Sequence, residues 1–241
     1  MDFYQMIGHY YDDLFPPSKA QISFLLKQLE KPSKILDLGC ATGGYAIALA
    51  EQGHEVTAID LDEAMIEILA HKIKDKPYKL DCQVADIRAV ASMTETYDLI
   101  YCIGNTIVHL ENLDEVDSFL SACYARLNSG GKLVIQSVNY DRILKNLVQS
   151  LPEIVREYPV LSFFRRYHHE EGHIRFVGAL TVGESGQKQT WTAETQLLPI
   201  LKNDLEQSFI KIGFEHIDFY GDFNKVPFSI ESPALVTLTV K

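Results

Sequence analysis

The sequence has no apolar run long enough to span a bilayer, which argues against a helical membrane protein and against a membrane partner. It is also short of positive charge. Its 22 Lys and Arg stand against 33 Asp and Glu, for a formal net charge of −11. A polynucleotide partner needs a basic face, so nucleic acid is not expected. Cysteine is sparse, and Cys40, Cys82, Cys102 and Cys123 show no C-x-x-C spacing. They read as reduced core thiols, neither disulfides nor zinc ligands. The opening residues Met1-Asp2-Phe3-Tyr4-Gln5 lack the basic and apolar regions of a signal peptide, so a cytoplasmic location is expected. Low-complexity segments and internal repeats are missing too. The 241 residues suffice for one large α/β domain, or a core domain with a modest insertion.

What is present is alternation. Apolar strands are expected at Lys34–Leu38, Glu55–Ile59, around Leu80–Ala85, at Tyr97–Ile103 and at Lys132–Val138. Between them lie helical stripes, of which Leu113, Val116, Phe119, Leu120, Cys123 and Leu127 form the clearest. Strands alternating with helices imply a parallel sheet covered on both faces. The pattern breaks after about Asp141. Three strands are expected there, at Phe163–His168, His173–Val182 and Gln189–Leu198, with turns at Glu170-Glu171-Gly172 and Gly183–Gly186. Helical spacing returns at Leu201–Ile212, and two last strands are expected at Phe214–Tyr220 and Ala234–Val240. The expected division is a core of residues 1–150 and 201–241, with residues 151–200 inserted as an antiparallel unit over the C-terminal edge of the sheet, where open α/β folds bind ligands.

The segment Ile35-Leu36-Asp37-Leu38-Gly39-Cys40-Ala41-Thr42-Gly43-Gly44 carries the chemistry. A strand, a glycine turn and a helix bring backbone close to a nucleoside. The glycines are spaced G-x-x-x-G, not the G-x-G-x-x-G of dinucleotide binders, which disfavours a nicotinamide dehydrogenase. Asp37 stands two residues before the first glycine, where it repels a pyrophosphate and suits a cationic cofactor. The combination points to S-adenosyl-L-methionine. Parallel strands end on one edge, so Asp37–Gly43, Asp60, Asp86 and Gly104-Asn105 should line one crevice. Asp60, 21 residues beyond Gly39, is placed to receive ribose hydroxyls, and Asp86 to accept from an adenine amine. Their neighbours Leu61, Ile87 and Ile103 complete the expected cofactor contacts. An Asp after a strand is often only a helix cap or turn residue; four successive strand ends with suitable chemistry outweigh that reading.

These motifs resemble the class I S-adenosylmethionine-dependent methyltransferases over nearly the whole chain. Asp37-Leu-Gly-Cys-Ala-Thr-Gly43 is similar to the family's first motif, Asp60 to its ribose-binding acid, and Ala85-Asp86 to its adenine contact. Gly104-Asn105-Thr106-Ile-Val-His109-Leu110, Asn139-Tyr140-Asp141 and Gly221-Asp222-Phe223 resemble the glycine N-methyltransferase branch. The resemblance implies a Rossmann-like, seven-stranded sheet with helices on both faces and an inserted antiparallel β lid. It implies methyl transfer to nitrogen or oxygen of a small molecule; a non-catalytic sensor of the methyl donor or its product is the alternative. The branch holds its substrate carboxylate with an arginine where this chain has Val138, and a tyrosine pair aligns with Leu197-Leu198. Valine cannot form a forked, charge-assisted bond to a carboxylate, which speaks against glycine or sarcosine as acceptor.

Beyond the cofactor, Asn105, His109 and Tyr11 are the catalytic candidates. Asn105 would orient an acceptor or the cofactor, and His109 would serve as base for a hydroxyl acceptor, or merely cap the following loop. Tyr11, within Tyr10-Tyr11-Asp12, would form an inner wall, or only an aromatic staple. Lys19 reads better as a solvated lysine than as a partner of the donor carboxylate. In Arg165-Arg166-Tyr167-His168-His169, strand alternation puts Arg165, Tyr167 and His169 on one face. One of these arginines, or Arg175, would read a polar or anionic acceptor group; salt bridges with Glu170, Glu171 or Glu184 are the competing account. His168, His169 and His173 lack a completing ligand at useful spacing, so no metal is expected. No apolar stripe fixes an oligomeric state, which leaves a homo-oligomer open.

Overall fold

The computed structural model describes residues 6–30, 32–183 and 186–241. Seven strands form one sheet: β1 Lys34–Leu38, β2 Glu55–Asp60, β3 Leu80–Val84, β4 Tyr97–Cys102, β5 Leu127–Val138, β10 Glu215–Tyr220 and β11 Ala234–Val240. Their order is β10-β11-β5-β4-β1-β2-β3, with β11 antiparallel to both neighbours and the other pairings parallel. The chain runs outward from β1 through β2 to β3, then crosses back to β4 on the other side of β1. This reversal opens a crevice at the C-terminal ends of β1 and β4.

The central strands are apolar at successive positions because both faces are covered. Ile35, Leu99, Tyr101 and Val134 join the cluster formed with the helices Lys19–Leu26, Gly44–Ala50 and Glu63–Ile73. Leu36, Leu38, Ile100 and Leu133 join the opposite cluster, with Val116, Phe119 and Leu120 of the helix Leu113–Arg126 and Leu205 and Phe209 of Lys202–Ile212. Alternating side chains of one strand thus anchor two helical layers.

A second, antiparallel sheet is inserted between β5 and the helix Lys202–Ile212. It has four strands, in the order β6-β7-β8-β9: β6 Ser150–Glu157, β7 Val160–His169, β8 Ile174–Val182 and β9 Gln189–Leu197. The sequence pattern gave three. β6 escapes it because the strand is mostly exposed, contains Pro152 and lies on the sheet edge, where proline is tolerated. The short helix Tyr140–Lys145, capped by Asn139 accepting from Arg142 N–H, precedes the inserted sheet.

The inserted sheet is tied down at several points. Leu198 N–H donates to Val108 O at 2.7 Å, and Arg156 donates to the carbonyls of Asp13 and Leu14. Ile7 and Leu14 of the N-terminal segment share an apolar cluster with Leu161, Phe163 and Leu180 of β7 and β8. Among the described residues, no helix is long and apolar enough to cross a membrane. Glu184, a proposed lid partner for arginine, lies outside the described residues.

Candidate active site

The glycine turn after β1 is shaped by backbone that side chains would obstruct. Gly39 N–H and Cys40 N–H both donate to Ile59 O, at 2.9 and 3.0 Å. Gly39 has φ +81°, and a β-carbon there would overlap the side chain of Thr106. Only glycine meets both demands at low cost. Asp60, at the end of β2, braces the same turn: its Oδ2 accepts Ala41 N–H at 2.7 Å and its Oδ1 accepts Asp62 N–H at 2.9 Å. Burial raises the Asp60 carboxyl, and those backbone bonds pull it back down. Asp62 then caps the next helix through Ala64 N–H and Met65 N–H.

Asp37 is only 2% exposed. Tyr101, its register partner on β4, donates a hydrogen bond to Oδ2 at 2.6 Å. Burial nevertheless pushes this carboxyl up to about 8, with Asp60 adding to the rise. The thiol of Cys40 is likewise pushed up, first by burial and then by Asp37.

Two adjoining cavities open along this edge, sharing Tyr11, Gly39, Ala41, Gly104 and His109. One, of about 640 Å³, is lined by Asp60, Leu61, Asp86, Ile87 and Thr106 among others. The other, of about 350 Å³, takes in Asp37, Cys40, Thr42, Ile103, Asn105 and Val138 and reaches Phe163, Arg165 and Tyr167 of the inserted sheet. The expected strand-end residues therefore meet on one edge, apart from Gly43. That glycine has φ +78° and sits where a side chain would strike Leu69. Its place is structural: it lets the turn pack on the helix Glu63–Ile73.

Asp86 is engaged by its own neighbour. Arg88 donates to it from the backbone N–H, from Nε and from Nη2, at 2.8 to 2.9 Å, and these bonds hold its carboxyl below the usual range. Asn105 sits at φ +72°, a conformation asparagine tolerates better than most side chains. Its Oδ1 accepts Val138 N–H at 3.0 Å, and its Nδ2 donates to Tyr140 Oη at 3.1 Å. His109 lines both cavities.

The basic residues separate cleanly. Arg175 pairs with Glu170 at 2.8 Å and Glu194 at 3.2 Å on the inserted sheet, the salt-bridge outcome. Arg166 is exposed and stacks on Phe164, and Lys19 is exposed and lines neither cavity. Arg165 lines the smaller cavity together with Tyr167.

Several lining residues escaped the sequence reading. Gln136 accepts Gly104 N–H at 2.7 Å, and Leu151, Phe163 and Phe176 form an apolar wall. Gln136 had a readable signal, a polar residue near the end of a strand buried on both faces. Asp12, expected with Tyr10 and Tyr11 at the inner wall, lines the cavity and carries bonds that the sequence does not reveal. It accepts from Thr42 Oγ1 at 2.6 Å and pairs with Lys72, whose Nζ also donates to Thr42 O. The N-terminal segment is thus latched to the glycine turn.

The donor set fits S-adenosylmethionine on structural grounds. The larger cavity lies against Gly39 and Asp60, and Leu61 is 70% exposed within it, an apolar side chain that a flat nucleobase would cover. Comparison with known proteins agrees. The model of a family described as a methyltransferase domain matches residues 35–131. The chain is 28% identical over 215 residues to a glycine/sarcosine N-methyltransferase of Halorhodospira halochloris, covering 86% of this chain and 75% of that protein. Its fold superposes on an S-adenosylmethionine-dependent methyltransferase from Clostridium acetobutylicum with a TM-score of 0.83, at 17% identity and 98% coverage of both chains. A structure of an amino pentose methyltransferase from Micromonospora echinaspora, bound to S-adenosylmethionine, superposes with a TM-score of 0.74 at 16% identity, covering 100% of this chain and 98% of that one. With this turn, this strand order and these relatives, the chain is similar to the class I S-adenosylmethionine-dependent methyltransferases, near the glycine/sarcosine N-methyltransferase branch, and its residues 35–131 match the methyltransferase domain.

Proposed function

We propose that this enzyme transfers the methyl group of S-adenosylmethionine to a nitrogen or oxygen of a small molecule held beneath the inserted sheet. The observation that carries the reading is the continuity of the smaller cavity, from Asp37 and the glycine turn to Phe163, Arg165 and Tyr167. A recessed cavity walled by an inserted β unit suits a metabolite, not a macromolecular surface.

The cofactor, when bound, supplies a methyl group already activated by the sulfonium charge. The protein's task is placement. Asp37 and Asp60 would hold the methionine and ribose ends, with Leu61 and Ile87 against the base and Asp86 at its rim. Gly39, Cys40, Ala41, Thr42 and Ile103 would shape the path between. Gly43 would act from behind, through packing. Negative charge stabilises a sulfonium in the ground state, so the two buried acids are anchors, not catalysts. In-line geometry at attack distance is worth roughly 7 kcal/mol or more of the barrier. Asn105, fixed by Val138 and Tyr140, has one N–H left to orient an acceptor. Tyr11 would close the inner wall. His109 would take the proton of a hydroxyl acceptor, whereas a neutral amine needs no base. Residues 151–200 would act as the lid.

Val138 and Leu197 line the cavity in place of the branch's polar residues, and this supports an acceptor other than glycine or sarcosine. A methyl-transfer screen that measures S-adenosylhomocysteine formation tests the reading. Turnover with small amines or phenols supports it, and turnover confined to protein or RNA substrates contradicts it.

A further inference from the structure

Arg165 is the only lysine or arginine among the described residues lining the smaller cavity. One of its nitrogens, Nη2, donates to Pro152 O at 2.6 Å, and its guanidinium carbon lies 5.9 Å from the Phe163 ring centroid. Its Nε is buried and has no hydrogen-bond partner among the described residues. No described carboxylate pairs with it, in contrast to Arg175 on the neighbouring strand β8. Burial lowers the Arg165 pKa, as expected for a cation stripped of water without a compensating anion. An orphaned guanidinium donor is costly unless something completes it, and a half-buried arginine fork matches a carboxylate in shape and charge.

The surroundings restrict the partner further. Around Arg165 the cavity wall is Leu151, Phe163, Tyr167, Phe176 and Leu197, apolar or aromatic apart from the Tyr167 hydroxyl. Arg165 is a single cation, so a dianion such as a phosphate monoester would keep one charge unmatched in the cavity. A monoanion with an apolar body meets neither obstacle.

Building on the function proposed above, we infer that Arg165 binds the carboxylate of an acceptor whose body is aromatic or otherwise apolar, so that acid recognition resides on the inserted sheet and not at position 138. The acceptor is then an amino or hydroxy acid held by its carboxylate at Arg165, with its apolar part against Phe163 and Phe176.

The test uses the full chain saturated with S-adenosylhomocysteine and three probe pairs: phenylacetate, 4-hydroxybenzoate and phenylalanine, each with its carboxamide. Calorimetric or NMR titration should show at least one acid binding about tenfold or more tighter than its amide, the range of one charge-assisted bond. Arg165→Gln should erase that preference while leaving S-adenosylhomocysteine affinity unchanged, and Arg165→Lys should restore part of it. Amides binding as well as acids, no acid binding at all, or a preference that survives Arg165→Gln would overturn the inference. The acid–amide comparison on the unmodified protein decides the matter even if the variants do not fold. Failure of S-adenosylhomocysteine to bind would instead count against the proposed function itself.

Discussion

Tyr101 donates its phenolic hydrogen to Asp37 across the β1–β4 pair, from the position directly beside it in the register. The bond pulls the Asp37 carboxyl down, but burial outweighs it and leaves the group at about 8. The ligand-free protein therefore holds Asp37 mostly protonated at neutral pH. A cation arriving at this strand end would ionise it.

Cofactor affinity should accordingly rise with pH up to about 8, with release of up to one proton on binding. Calorimetry in two buffers of different ionisation enthalpy measures that proton. Tyr101→Phe removes the influence that lowers the carboxyl, so its binding curve should move to higher pH. Asp37→Asn should bind weakly at every pH and release no proton.

The same group sets a slope in stability. An unfolded aspartate ionises near 4, whereas Asp37 in the ligand-free fold holds its proton to about 8. Its contribution is complete below the unfolded value and is lost as pH rises through the folded one. The thermal midpoint of the ligand-free protein should fall more steeply over this window than that of Asp37→Asn.

Gly39→Ala combines an unfavourable φ with overlap on Thr106. A loss of about 1–3 kcal/mol in stability is expected, together with weaker cofactor binding. Denaturant unfolding checks the first effect and titration the second. Adding Thr106→Ala should recover only part of either, because the backbone strain stays.

Asp12 ties the N-terminal segment to the glycine turn through Thr42 and Lys72. The carboxylate is half-exposed, so its loss should cost about 1 kcal/mol or less of stability. Its kinetic effect should be larger. Stopped-flow measurement on Asp12→Ala should show faster S-adenosylhomocysteine release with little change in thermal midpoint.

The core was readable because the central strands of the parallel sheet are apolar runs that close on aspartate, glycine or asparagine, as at Asp60 and Gly104. The inserted sheet was harder. β6 is an exposed edge strand, so its sequence carries no apolar alternation, and the hairpin reading began one strand late. Strand alternation paired Arg165 with Tyr167, but sequence does not say which face of a sheet looks inward. The Arg175–Glu170–Glu194 network likewise depends on cross-strand register that no local pattern encodes. Asp86 illustrates a different limit: a strand-end acid and a helix cap have the same sequence signature, and here Arg88 shows the residue serving as a cap.

The most direct measurement is calorimetric titration of S-adenosylhomocysteine into the wild-type chain, Asp37→Asn and Asp60→Ala, with NAD as a control ligand. One-to-one binding to the wild type, at least about tenfold weaker binding to each variant, and no heat with NAD are the expected results. Equal affinity across all three proteins, or binding of NAD in place of the nucleoside thioether, would contradict the assignment of these strand ends as the cofactor's grip.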